Sequence, residues 1–103
     1  MQPDIFSAIA DPPRRTILDM LRGSDKSLSE ITAEFDMSRP AVSKHVKILE
    51  RADLIHIEPD GRRRIHKLNA EGLRPVMDWL QVYDAFWDEK LGNLKSLIEG
   101  ENP

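Results

Sequence analysis

Between residues 38 and 47 the chain carries Ser38, Arg39, Pro40, Ser43, Lys44, His45 and Lys47, and further on Arg62, Arg63 and Arg64 follow an Asp60-Gly61 pair. Ser43, Lys44 and His45 are adjacent, so a helix would splay them around its axis instead of aiming them at one reacting atom. The chemistry they suit is recognition of an anion with hydrogen-bonding edges. An arginine grips the O6 and N7 of guanine through two parallel hydrogen bonds, a serine bonds a base or a phosphate, and lysines hold phosphate as point charges. Arg39 and Ser43 are therefore expected at base edges of double-stranded DNA, with Lys44 and Lys47 on phosphate. His45 is expected to pack at the edge of its helix or to touch phosphate, not to bind a metal. Three guanidinium groups at a tight turn can straddle the phosphate backbone or probe the minor groove. The plainer alternative for them is a hairpin edge kept soluble by charge.

These side chains need elements to position them. Ser38 with Pro40 reads as an N-cap and a first-turn proline, opening a helix that runs to about Ala52. Val42, Val46 and Leu49 share one face of it, while Arg39, Ser43, Lys44 and Lys47 occupy the other. Before it, Ser27 and Glu30 form a capping-box pattern at the head of a helix that buries Leu28, Ile31 and Phe35. Asp36-Met37 makes the turn between the two, which gives residues 27–52 the proportions of a helix-turn-helix.

Upstream, Ile5, Phe6 and Ile9 sit at helical spacing, Asp11-Pro12-Pro13 breaks that helix, and Ile17, Leu18 and Leu21 line a second one. Gly23 is expected to end it in a left-handed cap, with Ser24 to Lys26 as a turn. Downstream, Leu54, Ile55 and Ile57 lead to the Asp60-Gly61 turn and strand resumes over Ile65 to Leu68, a wing spanning residues 54–68. Its register stays open, because Ile65 and Leu68 cannot both face one side of an ideal strand. Asn69 is the expected cap of a helix over residues 70–98, striped by Leu73, Val76, Leu80, Tyr83, Trp87, Leu91, Leu94 and Ile98. The expected fold class is mainly α with a small β-hairpin, a winged helix-turn-helix ordered α-α-α-α-β-β-α as one domain over residues 1–103.

Composition narrows the function classes. With 40% hydrophobic and 32% charged residues the chain is too apolar for disorder and too charged for a membrane protein. No run approaches the roughly 20 apolar residues of a membrane span. Asp4 interrupts any signal-like start, so a cytoplasmic location and no membrane partner are expected. Without cysteine there is neither a disulfide nor a thiolate metal ligand. The net charge of -3 hides a polarity: residues 37–68 hold eight basic and four acidic side chains, whereas both flanks are acidic. A basic centre between acidic ends fits a protein that offers one face to phosphate.

The run Ser38-Arg39-Pro40-Ala41-Val42-Ser43-Lys44-His45-Val46-Lys47-Ile48-Leu49 resembles the recognition-helix signature of the arsenic-repressor-like (ArsR) family of winged-helix regulators. Ala10-Asp11-Pro12-Pro13-Arg14-Arg15 is similar to that family's opening Asp-Pro-x-Arg-Arg element, and Gly61-Arg62-Arg63-Arg64 to its wing. The resemblance covers Ile5 to Leu68 and implies a homodimer that represses transcription by occupying an operator. The chain departs from the family's metal sensors. Ser27-Leu28-Ser29-Glu30-Ile31 stands where those have Cys-Val-Cys-Asp-Leu, and His45, His56 and His66 all lie outside the last helix. Hydroxyls are poor ligands for soft metals, so no metal and no cofactor are expected, and any small-molecule or protein effector is unassigned.

A helix over residues 70–98 would reach roughly 42 Å, more than so small a core can cover. Ile5, Phe6, Ile9, Leu80, Tyr83, Trp87, Leu91 and Leu94 are therefore expected at a homodimer interface, which would set two recognition helices on successive major grooves of a palindromic operator. Trp79, Tyr83, Phe86 and Trp87 read as filling for that interface in preference to a ligand pocket. An enzyme is not expected. The remaining alternative is a winged-helix module for protein assembly, which sequence-specific, salt-sensitive binding to duplex DNA would separate from the first reading.

Overall fold

A computed structural model of the chain describes residues 4–90. Its elements are α1 (Ile5–Ala10), α2 (Pro12–Gly23), β1 (Lys26–Ser27), α3 (Leu28–Ala33), α4 (Arg39–Arg51), β2 (Ile55–Asp60), β3 (Arg63–Leu68), a 3-10 turn (Ala70–Leu73) and α5 (Arg74–Gln81). Helical backbone resumes over residues 84–90. The architecture is a winged helix-turn-helix with one small antiparallel sheet, as the residue pattern implies.

One core holds the first four helices on the sheet. Ala8, Ile17, Leu21, Ile31, Val42, Val46, Leu49, Leu54 and Ile55 are all buried, and Phe35, Ile48, Ile57 and Leu68 pack around them. The apolar face of α4 is the one expected, and each of its larger side chains contributes on the order of 1.5–3 kcal/mol by leaving water. α4 closes in a Schellman motif: the Leu54 N–H donates to the Leu49 carbonyl and the Asp53 N–H to the Glu50 carbonyl, both at 3.0 Å. Asp53 takes the left-handed conformation there, φ 65°. The buried Leu49 and Leu54 supply the motif's apolar contact.

Four features differ from the sequence reading. Lys26–Ser27 is not a turn but a strand, pairing antiparallel with β3 through Lys26–His66 and Ser27–Ile65, so the sheet order is β1-β3-β2. A two-residue strand has no periodicity to read; its partner creates it. Accordingly α2 ends without a left-handed Gly23: Ser24 is extended, and its N–H bonds the Met20 carbonyl at 3.3 Å. The hairpin turn is Gly61-Arg62, one residue later than Asp-Gly suggests, since Asp60 already pairs with Arg63. Gly61 alone of the two has positive φ, the pattern of a type II′ turn.

The fourth difference is the end of the described chain. Asn69 caps nothing with its side chain; its Nδ2 donates to the Asp53 carbonyl at 2.7 Å, tying the wing's exit to the end of α4. A 3-10 turn intervenes before α5, and residues 82–83 interrupt the helix again. Gly72 lies against the same loop, where an added Cβ would collide with the Asp53 carbonyl oxygen. Leu91, Leu94 and Ile98 of the expected stripe lie outside the described residues.

Candidate nucleic-acid interface

Two capped helices fix the frame. The Ser27 hydroxyl accepts from the Glu30 N–H at 3.3 Å while a Glu30 carboxylate oxygen accepts from the Ser27 N–H at 3.0 Å, completing the capping box of α3. Ser38 caps α4 by accepting from the Ala41 N–H at 3.3 Å, with Pro40 in the first turn, where its missing N–H costs nothing. From this start α4 exposes Arg39, Lys44 and Lys47 and leaves Ser43 half-buried. The exposed Arg39 guanidinium donates to the Ser29 hydroxyl at 3.1 Å, a contact that base recognition would exchange.

The wing stands beside this face. Between them lies a cleft of about 680 Å³ lined by Arg39, Ser43, Lys47, Arg62, Arg63 and Arg64 together with Glu30, Glu50 and His66. Five cations against two carboxylates leave its walls positive although the chain is acidic overall. Arg62 and Arg64 are exposed and appear in no ion pair among the described residues.

Arg63 behaves differently from its neighbours. It donates to a Glu30 oxygen at 2.8 Å, the same oxygen that accepts from the Ser27 N–H. The Ser27 N–H first, then the Ser27 side chain, and Arg63 after them, hold the Glu30 carboxyl below the usual carboxylate range. The cap of α3 thus tethers the wing. Glu30 was legible as a cap from spacing alone, but the tether depends on β1 pairing with β3, which brings residues 33 positions apart into contact.

Two histidines take places the residue pattern left open. His45, expected at the edge of its helix or on phosphate, packs at the edge: its Nδ1 lies 3.3 Å from Arg14 and 3.7 Å from Asp11, at the junction of α4 with α2. His66 takes the inward position opposite Ile57 that the hydrophobic pattern left undecided, and is buried at 4% exposure. Its Nδ1 donates to the Lys26 carbonyl at 3.1 Å, and burial pushes the imidazole below its ordinary pKa in spite of that bond. Among the described residues no group of three or more His, Asp or Glu is placed to hold a metal ion, and no helix is long and apolar enough to cross a membrane.

Outside the cleft lining, α5 has no buried residue, and Phe6, Met77, Trp79, Leu80, Tyr83, Phe86 and Trp87 are exposed. Ile5 and Ile9, expected beside them, are half-buried and pack against the chain's own core. Phe6 is the α1 side chain left facing out, edge-on to Trp79 with ring centroids 5.7 Å apart.

A profile described as "Bacterial regulatory protein, arsR family" matches residues 11–56, from the proline break through α4 into the wing. The chain is 35% identical to the HTH-type transcriptional regulator Rv2034 of Mycobacterium tuberculosis over 93% of its own length and 87% of the relative's. The chain belongs to the ArsR family. This ArsR-family chain is also 36% identical to the transcriptional repressor SdpR of Bacillus subtilis, covering 75% of itself and 86% of that protein. A crystal structure of an ArsR family transcriptional regulator superposes with a TM-score of 0.74 at 34% identity, over 82% of this chain and 92% of the other. The ArsR-family protein is accordingly a DNA-binding transcriptional regulator, and its cleft is the surface to examine for the contact.

Proposed function

We propose that this regulator is a repressor that binds an inverted-repeat operator as a homodimer, reading each half-site with α4 and clamping the backbone with the wing. The observation that carries the reading is the cleft in which an exposed polar face of α4 and the arginine-tipped hairpin form one positive concavity. A helix in the major groove meets base edges with its first turns, which assigns Ser38, Arg39, Pro40 and Ser43 to that position and Lys44 and Lys47 to phosphate. Arg62 and Arg64 are the wing's phosphate ligands, with Arg63 holding the hairpin in place. His45 belongs to the support of the helix.

The repressor sense is taken from similarity to SdpR, a transcriptional repressor; occupancy of a promoter can by itself repress or activate. Phe6, Leu80, Tyr83 and Trp87, backed by Ile5 and Ile9, form the proposed two-fold interface, which continues toward Leu91 and Leu94 outside the described residues. An apolar patch of this extent marks an association surface.

The experiment is titration of Arg39→Ala and Ser43→Ala against a duplex selected from a random pool and against its scrambled counterpart. Loss of a base-directed bond is expected to cost about 1–3 kcal/mol on the selected duplex and little on the scrambled one. Unchanged discrimination in both variants removes α4 as the reading element.

A further inference from the structure

The Asp11-Pro12-Pro13-Arg14-Arg15 segment has no role in the reading so far, and its geometry supplies one. α1 ends at Ala10, so the carbonyls of Ser7, Ala8, Ile9 and Ala10 are the ones without intrahelical donors. Pro12 and Pro13 cannot donate to Ala8 and Ile9, because neither has an N–H. The two arginines take over. Arg14 donates from Nε to the Ala8 carbonyl at 2.7 Å and from one terminal nitrogen to the Ser7 carbonyl at 3.2 Å. Arg15 reaches the Ile9 and Ala10 carbonyls at 2.9 and 3.1 Å. Both guanidinium groups cap α1, yet only Arg14 has a further tie.

The remaining terminal nitrogen of Arg14 lies 3.3 Å from His45 Nδ1 on α4. A guanidinium only donates, so Nδ1 accepts and the imidazole proton sits on Nε2. Asp11 supports the junction: its Oδ2 is buried without a hydrogen-bond partner, 3.9 Å from Arg14 and 3.7 Å from His45. A planar fork with three of its donors engaged has little freedom to turn. Its far end is α1, whose Phe6 meets Trp79 of α5, itself edge-on to Tyr83 at 5.6 Å.

We propose that Arg14 is a positioning residue for DNA reading: locked on the free carbonyls of α1, it holds the His45 imidazole and so sets the recognition helix relative to the helix that touches α5. The inference rests on α4 being the reading element. It gives the aromatic face a physical route to the DNA face, since a partner that moves Phe6 moves the same rigid fork.

The test is a double-mutant cycle of Arg14→Gln and His45→Leu, with His45→Asn as the variant that keeps an acceptor near the place of Nδ1. Selected and scrambled duplexes are titrated over a range of salt, and circular dichroism and thermal melts confirm the fold. Each single variant is expected to lose about three- to thirty-fold in affinity for the selected duplex, and the double variant no more than the worse single one, as for two ends of one contact. His45→Asn is expected to lose less than half, on a logarithmic scale, of what His45→Leu loses. Arg14→Gln should leave the salt slope as it was. Independent, multiplying losses overturn the inference, as does a melting temperature that falls while affinity holds. A slope reduced by about 0.9 in Arg14→Gln also overturns it, because Arg14 would then be a direct phosphate ligand. Arg14→Lys, which keeps the charge but not the fork, is the substitute if Arg14→Gln fails to fold: the same loss and the same coupling to His45→Leu are expected, and wild-type affinity in Arg14→Lys overturns the inference. If the wild-type protein prefers no duplex over its scramble, the DNA reading itself falls; if it does and the cycle shows no coupling, only the positioning role falls.

Discussion

Residues 27–68 and residues 74–90 both carry many large apolar side chains, yet their surroundings are opposite. In the first stretch each apolar face meets another element of the same chain: Ile31, Val42, Val46, Leu49, Leu54 and Ile55 are buried, helix ends are capped, and the wing is tethered to α3 through Glu30. In the second, Trp79, Leu80, Tyr83, Phe86 and Trp87 each keep more than two-fifths of their surface in water, and the aromatic rings meet chiefly one another. A single chain completes the reading head but not the C-terminal face. The hydrophobic effect acts on both alike, so under the proposed pairing the second stretch is the one whose stability should depend on concentration.

The sharpest way to break this contrast is to charge the exposed face. Leu80→Glu with Trp87→Glu is expected to leave the domain folded but monomeric and to lower operator affinity about a hundred-fold, since aromatic anchors carry a large share of association energy. Sedimentation measured together with DNA titration checks it. A variant that stays dimeric would place the interface elsewhere. In the reading head the same kind of change acts on folding: Leu49→Ala is expected to cost about 2–5 kcal/mol in urea denaturation, at any protein concentration. Stability of that variant that rose and fell with concentration would deny the head its independence.

A smaller effect separates the wing's arginines. Replacing Arg62 or Arg64 by Gln should lower the log-log salt slope of DNA binding by about 0.9 each. Arg63→Gln should leave the slope alone and weaken binding through a looser hairpin; equal slopes for all three would make Glu30 a passing contact. The smallest effect is on pH. Because burial lowers the His66 pKa from 6.5, the unfolded chain takes up a proton before the folded one does. Stability is therefore complete above about pH 6.5 and declines as pH falls toward the folded value. Denaturation of His66→Gln between pH 7.5 and 5, on the order of one His titration range, should show a shallower decline than the wild type.

Local chemistry made much of the head legible. Ser27 with Glu30 and Ser38 with Pro40 announce helix starts because capping acts within three residues, and the 3.6-residue period of Val42, Val46 and Leu49 names the buried face before any partner is known. The family signature in α4 is readable for a related reason: the residues that face outward are free of packing constraints, which leaves them available for the proposed contact with DNA. Less legible were the features that join distant positions. His45 was grouped with the reading residues because of its neighbours, although Arg14, 31 positions earlier, turns it toward α2.

The sequence by itself determined the order of helices, the caps, the proline break between α1 and α2, and the apolar and basic faces of α4, all consequences of interactions spanning a turn or two of backbone. Only the tertiary structure decided the strand at Lys26–Ser27, the inward place of His66 and the ion pair with Glu30 that sets Arg63 apart from Arg62 and Arg64. It also decided that Ile5 and Ile9 turn inward while Phe6 faces α5. Each of these depends on which surface arrives opposite a residue, and chain connectivity over tens of positions, not local preference, settles that.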